Sequence, residues 1–221
     1  MTLTQHTFEA HPDKGNVSAL LLKPEGATHL LVLGHGAGAG MTHANMESIA
    51  QAMAAQQVAT FRYQFPYMER GGGRDSVKVS LATVRNAVLE AAALEPDLPL
   101  LAGGHSFGGR MTSLAAAEEA LPGVEGLIFF SFPLHAPGKP SDHRGAHLPE
   151  ITVPMLFLSG DRDTFTNHDF FLPLIKSLGD KAKLHFLETG NHGYRILKRT
   201  RTHPDDIFVE IGKEVRAWLD A

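Results

Sequence analysis

Ser106 sits at the centre of Gly104-His105-Ser106-Phe107-Gly108, a G-x-S-x-G pattern within the run Gly103-Gly104-His105-Ser106-Phe107-Gly108-Gly109-Arg110. A serine hydroxyl is a weak nucleophile. It attacks a carbonyl carbon only when a base takes its proton and a third group orients that base. On strand–turn–helix scaffolds that carry such a serine, the helpers follow in the order acid, then histidine. Two aspartates stand in the right place, Asp161 and Asp163 in Gly160-Asp161-Arg162-Asp163. Of the thirteen histidines, only His192, in Glu188-Thr189-Gly190-Asn191-His192-Gly193, directly follows the last predicted strand, with His203 as the fallback. The attack leaves a negative oxygen, which needs two N–H donors. One is expected from the backbone of Phe107. The other is assigned by position to Ala37, in the glycine-rich run Gly34-His35-Gly36-Ala37-Gly38-Ala39-Gly40-Met41.

These groups must be held at one place, and the surrounding sequence predicts how. Leu98 to Gly103 is an apolar strand running into Ser106, and Met111 to Ala117 is rich in helix formers. The turn between them is tight, and Gly104 and Gly108, lacking Cβ, let strand and helix approach. Further strands are expected at Thr4–Ala10, Asn16–Lys23, His29–Gly34, Val58–Arg62, Gly126–Phe132, Ile151–Ser159 and Lys183–Leu187. Helices are expected at Asn45–Gln56, Ser76–Ala93, Asp169–Leu178 and Asp205–Leu219. In the second of these, Val77, Val79, Leu81, Val84, Val88 and Leu89 are the expected core positions. Phe65–Gly73 and Pro133–Pro149 read as irregular loops. Strands alternating with helices predict a three-layer αβα sandwich, an α/β fold around a mostly parallel, doubly wound sheet of about eight strands. The first two strands, with no helix between them, predict an antiparallel edge. The candidates Ser106, Asp161 or Asp163, and His192 all fall just past strand ends, the sheet edge where such folds bind ligands.

Bulk properties narrow the field. The 221 residues are expected to form one domain over 1–221, with no internal repeat and no room for a cap domain. A net charge of −4 gives no electrostatic case for nucleic acid. There is no cysteine, which excludes disulfides and thiolate chemistry. Met1-Thr2-Leu3-Thr4-Gln5-His6 lacks the basic and then apolar build of a signal peptide, and no apolar run approaches a membrane span. A cytoplasmic protein, not bound to a membrane, is the expectation. The Gly34–Gly40 run lacks both the Lys-Ser/Thr of a phosphate loop and the dinucleotide fingerprint. No cofactor or metal is expected.

Taken together, G-H-G-A-G-A-G-M (34–41), F-P-Y-M-E-R (65–70), G-G-H-S-F-G-G-R (103–110), P-L-H-A-P-G-K-P (133–140) and H-L-P-E-I-T-V-P (147–154), with the Asp163 and His192 turns, resemble the α/β-hydrolase superfamily over nearly the whole chain. More narrowly, the chain is similar to the small cap-less group near dienelactone hydrolases, which includes the hydrolase-like domain of testis-expressed and NSL-complex proteins. The resemblance implies that Asp163 is the acid and Ser106, Asp163 and His192 a triad, with Asp161 a turn residue or a partner for Arg162. It departs from dienelactone hydrolases proper, whose nucleophile is a cysteine. The expected activity is that of a serine hydrolase of the carboxylesterase type, acting on a small-molecule acyl substrate through an acyl-enzyme. The alternative is a non-catalytic module of the same fold that binds a partner protein. Either a monomer or a homodimer fits.

Other residues carry weaker signals. Tyr67, Leu134 and His135 are the expected substrate contacts. Glu69 and Arg70 either line the pocket or brace their loop. His105, beside the nucleophile, is read as a packing or substrate-side residue. His143 and His147, four apart in a Pro- and Gly-rich loop, are expected on the surface rather than on a metal. Lys198, Arg199 and Arg201 are expected to form a solvated basic face.

Overall fold

A computed structural model of the chain describes residues 1–221. Eight strands form one sheet: β1 (Thr2–His11), β2 (Gly15–Lys23), β3 (His29–Gly34), β4 (Val58–Tyr63), β5 (Leu100–His105), β6 (Val124–Phe130), β7 (Met155–Gly160) and β8 (Ala182–Leu187). Their spatial order is β1-β2-β4-β3-β5-β6-β7-β8. β1 and β2 form an antiparallel hairpin, and β2 pairs antiparallel with β4. All pairings from β4 through β8 are parallel. No cap domain is inserted, and no helix is long and apolar enough to cross a membrane.

The parallel strands are apolar almost throughout, as strands covered on both faces must be. Alternation then sorts their side chains. Leu30, Val32, Phe61, Ala102, Leu127, Phe129 and Phe157 point to one face. There they pack under α3 (Val77–Leu94), α4 (Phe107–Glu118) and α5 (His168–Leu178), through Val84, Val88, Met111 and Phe171. Leu31, Leu33, Leu101, Ile128, Leu156 and Leu158 point to the other face. They meet α1 (Ala44–Ala54) and α6 (Ile207–Leu219) through Met46, Ile49, Met53, Ile211 and Val215. Two cores on either side of one sheet make the three layers.

Helix starts follow their caps. Ser76 accepts from the Val79 N–H ahead of α3, Asn167 from Asp169 N–H at 2.8 Å ahead of α5, and Asp206 from Phe208 N–H at 2.9 Å ahead of α6. Two of the expected core positions of α3 are corrected. Val77 and Leu89 are 51% and 53% exposed: Leu89 lies off the stripe formed by Val84, Val88 and Ala91, and Val77, though in line with it, is the first residue of the helix and projects past the core. The expected loop at Phe65–Gly73 contains a short helix, α2 (Pro66–Arg70), started by proline at its first position. The loop 133–149 is likewise not wholly irregular; it includes the single 3₁₀ turn His143–Gly145 and leads into a second, Leu148–Glu150.

The topology fixes where chemistry can occur. From β3 the chain moves outward to β4, and then returns to the other side of β3 as β5. The connections at the carboxyl ends of β3 and β5 therefore diverge and leave a crevice. The Gly34–Met41 run leaves β3 at this crevice, and Ser106 leaves β5.

Candidate active site

Ser106 occupies the turn between β5 and α4 with φ 52° and ψ −111°, a backbone geometry that L-residues rarely adopt. The surroundings hold it there. A Cβ on Gly104 would lie 2.6 Å from the Gly34 carbonyl oxygen and from the backbone of Gly108. A Cβ on Gly108 would lie 2.3 Å from the Gly34 carbonyl. Only glycine allows β3, β5 and α4 to meet so closely, and that contact raises Ser106 at the sheet edge.

The turns after β7 and β8 bring two further groups to the same point. They are joined through their backbones, Asp161 N–H to Leu187 O at 3.2 Å and Arg162 N–H to Gly190 O at 2.9 Å. His192 Nδ1 lies 2.7 Å from Asp163 Oδ2, and its Nε2 lies 2.8 Å from Ser106 Oγ. An ionised carboxylate only accepts, so Nδ1 carries the proton and Nε2 presents its lone pair to the serine hydroxyl. Asp163 is buried, and its Oδ1 accepts from Phe165 N–H at 2.8 Å. Asp161 is exposed and stands in the turn, while Arg162 reaches the Thr189 carbonyl instead of pairing with it.

Two residues that support His192 were not singled out as such in the sequence. The ring of Phe165 stacks on its imidazole at 4.1 Å. His105 Nε2 donates to the His192 carbonyl at 2.9 Å, so the residue before the serine fixes the loop that carries the histidine. The only sequence signal for His105 is its place beside Ser106. Asn45 on α1 donates to the next carbonyl, that of Gly193, at 3.0 Å.

Phe107 is the first residue of α4, and its N–H has no protein acceptor, as expected at a helix start. The Ala37 N–H likewise donates to no protein group. The Ala37 loop is braced from behind. His35 donates from Nδ1 to the Gly36 carbonyl at 2.8 Å and accepts at Nε2 from Phe65 N–H at 3.0 Å. Tyr67 Oη donates to the Ala37 carbonyl at 2.9 Å.

The expected substrate contacts need correcting. Tyr67 is buried, and its hydroxyl is engaged by the loop, so it shapes the crevice from beneath. Leu134 is fully buried in the core against Gly145, because the loop 133–149 folds back over α5. His135 is buried, with Nδ1 on the Ala136 carbonyl and its backbone N–H on the Phe165 carbonyl; its Nε2 has no partner. Glu69 accepts from the Ser18 N–H and hydroxyl, and Arg70 pairs with Asp75, so both brace their loop. His143 is exposed, and His147 meets Ser113 Oγ at 2.7 Å. His203 faces Asp205 and Glu210, away from Ser106. Arg201 is not part of a solvated face. Its side chain is buried against Glu210 and the Glu188 carbonyl, which closes the last loop onto α6.

Burial holds His35 and His105 far below the ordinary histidine range, each pushed down to about 4. For His105 the nearby His192 adds to the effect. Both rings are thus neutral in the folded chain at pH values where an unfolded chain protonates them. As pH falls from about 6.5 towards 4 the unfolded chain takes up these protons first, so stability is lost over that window. Each group contributes on the order of 3 kcal/mol by the low end. Urea unfolding at pH 7 and pH 5 is expected to show a loss of several kcal/mol; equal stability at both would contradict the neutral rings.

The chain matches the family model described as alpha/beta hydrolase domain over residues 27–220. Among solved structures it resembles a dienelactone hydrolase from Anabaena variabilis ATCC 29413, with TM-score 0.70 and 16% identity, covering 100% of this chain and 98% of that one. It also resembles the esterase domain of a Rhodothermus marinus protein, with TM-score 0.73, 16% identity and coverage of 99% and 98%. A serine hydrolase without a lid from Xanthomonas campestris gives TM-score 0.70, 19% identity and coverage of 100% and 97%.

Proposed function

The chain belongs to the alpha/beta hydrolase domain family, and on that premise we propose that it is a serine hydrolase acting on a carboxylic ester or related acyl bond. The observation that carries the reading is the unbroken relay from Ser106 Oγ through His192 to Asp163, at 2.8 and 2.7 Å. Ser106 Oγ attacks the carbonyl carbon while His192 Nε2 takes its proton. Asp163 holds the imidazole in the required tautomer and offsets the positive charge that forms. The free N–H groups of Phe107 and Ala37 receive the oxyanion. The tetrahedral intermediate collapses, the alcohol leaves with the proton from His192, and Ser106 keeps the acyl group. Water, deprotonated by His192, then attacks the acyl-enzyme and releases the acid.

The reaction classes printed for the resembling proteins, an esterase domain and a dienelactone hydrolase, support an acyl transfer of this type. With no inserted cap over the crevice, a small ester suits the site better than a lipid. The test is a fluorophosphonate probe applied to the purified protein and to Ser106→Ala, read by intact mass. A single adduct on the wild type alone is the expected result. Equal labelling of both proteins, or of neither, overturns the reading.

A further inference from the structure

Six of the eleven arginines have no carboxylate partner, and three of these, Arg74, Arg110 and Arg144, come from segments around Ser106. Arg70, Arg85, Arg201 and Arg216 each pair with an acid, as does the fully buried Arg62. Arg74, Arg110 and Arg144 do not, and neither do Arg162, which reaches the Thr189 carbonyl, Arg195 and Arg199. Arg110 makes no side-chain hydrogen bond, although its Nε is buried.

The three come from different segments around Ser106. Arg110 lies one helical turn beyond the serine, its N–H bonded to the Ser106 carbonyl at 3.0 Å. Side chains on a helix lean towards its N-terminus, and Ser106 stands at that end of α4. Arg74, from the loop after α2, stands 5.9 Å over the ring of Phe107, the residue after the serine. Arg144, from the loop after β6, donates to the His135 carbonyl at 3.1 Å. His135 is in turn tied through its N–H to Phe165, whose ring stacks on His192.

Arg110 feels the charges of the other two. Arg110 is held below the ordinary arginine range first by burial and then by Arg144 and Arg74, with no acid opposing them. A partly buried guanidinium without an acceptor, among like charges, is costly to the empty site. An anion placed between the arginines removes that cost, and the planar forks suit carboxylate and phosphate oxygens.

We propose that Arg74, Arg110 and Arg144 form an anion subsite beside Ser106, so that the preferred ester carries a carboxylate or phosphate group on the part of the substrate that reaches them. The claim about substrate rests on the hydrolase reading; the claim about anion binding does not. Two measurements separate them. In Ser106→Ala, glutarate and inorganic phosphate are titrated calorimetrically at low salt, as is each anion with Arg110→Gln or Arg144→Gln added. Binding of one or both anions at millimolar concentration is expected, weaker by about tenfold to a hundredfold in the arginine variants, as for loss of a charge-assisted hydrogen bond. The anion that binds better identifies the head group.

In the Ser106-containing protein, kcat/KM is measured for the mono-p-nitrophenyl ester of glutaric acid and for neutral p-nitrophenyl butyrate. Their ratio is expected to fall by a similar factor in both arginine variants. The ratio discounts any general loss of active protein. Failure of both anions to bind, or binding and ratio that survive both substitutions, overturns the subsite. Arginine-dependent binding without cleavage of any ester would leave the subsite standing and remove the hydrolase reading.

Discussion

Ser106→Ala is expected to lower kcat on a p-nitrophenyl ester by about 10⁴–10⁶, and His192→Ala to lower it by a similar amount. The reason is mutual dependence. Without Oγ, His192 Nε2 has no proton to take; without the imidazole, the hydroxyl 2.8 Å away keeps its proton and is a poor nucleophile. The double variant should therefore be hardly slower than either single one, because the second substitution removes a group already idle. Additive losses in steady-state rates would mean that the two act separately. The fold tolerates this substitution: alanine and serine both carry a Cβ, so both meet the same φ of 52°. Thermal unfolding of Ser106→Ala should thus stay close to that of the parent.

Asp163→Asn is expected to reduce kcat by about 10⁴, whereas Asp161→Asn should leave it within a few-fold. Asparagine matches aspartate in shape, and its oxygen can still accept from Phe165 N–H, so the turn should hold. The charge opposite His192 Nδ1 is lost, however, and an amide nitrogen turned towards the ring would favour the wrong tautomer. Asp161 is exposed and touches His192 through no hydrogen bond. Steady-state rates with the reverse ranking would transfer the orienting role to Asp161.

Much of this scaffold was legible in the residues. Continuous runs such as Leu30–Leu33 and Met155–Leu158 leave no polar face for a strand to show to water, so they predict parallel strands covered on both sides. Gly104 and Gly108 flank a serine where three segments of backbone meet, and that spacing is visible before any coordinates. What escaped depends on contacts distant in sequence. Tyr67 looked like a pocket wall because an aromatic hydroxyl in a loop can face either way. Its acceptor, the Ala37 carbonyl, lies in another loop. Leu134 looked available for the same reason, until the loop 133–149 folded it inward. His105 holds His192 across 87 positions of chain, and nothing in the motif around Ser106 announces that bond. Arg201 seemed one of a solvated trio because its partner, Glu210, belongs to a helix whose facing side the basic run cannot reveal. Pro66, by contrast, was a usable signal for α2, since proline often begins a helix.

The hairpin of β1 and β2 lends no residue to the crevice, yet it decides which strand forms the edge of the sheet. β2 is paired along Ala19–Leu22 with Thr60–Tyr63 of β4, every residue of which is buried. Without the hairpin, β4 would present unpaired backbone and an apolar flank to the solvent, a template for joining one molecule's sheet to the next. With it, the outermost strand on that side is β1, whose first half is largely exposed and carries Thr2, Leu3, Thr4, Gln5 and His6. The amino-terminal strands thus keep the wholly buried β4 inside the sheet.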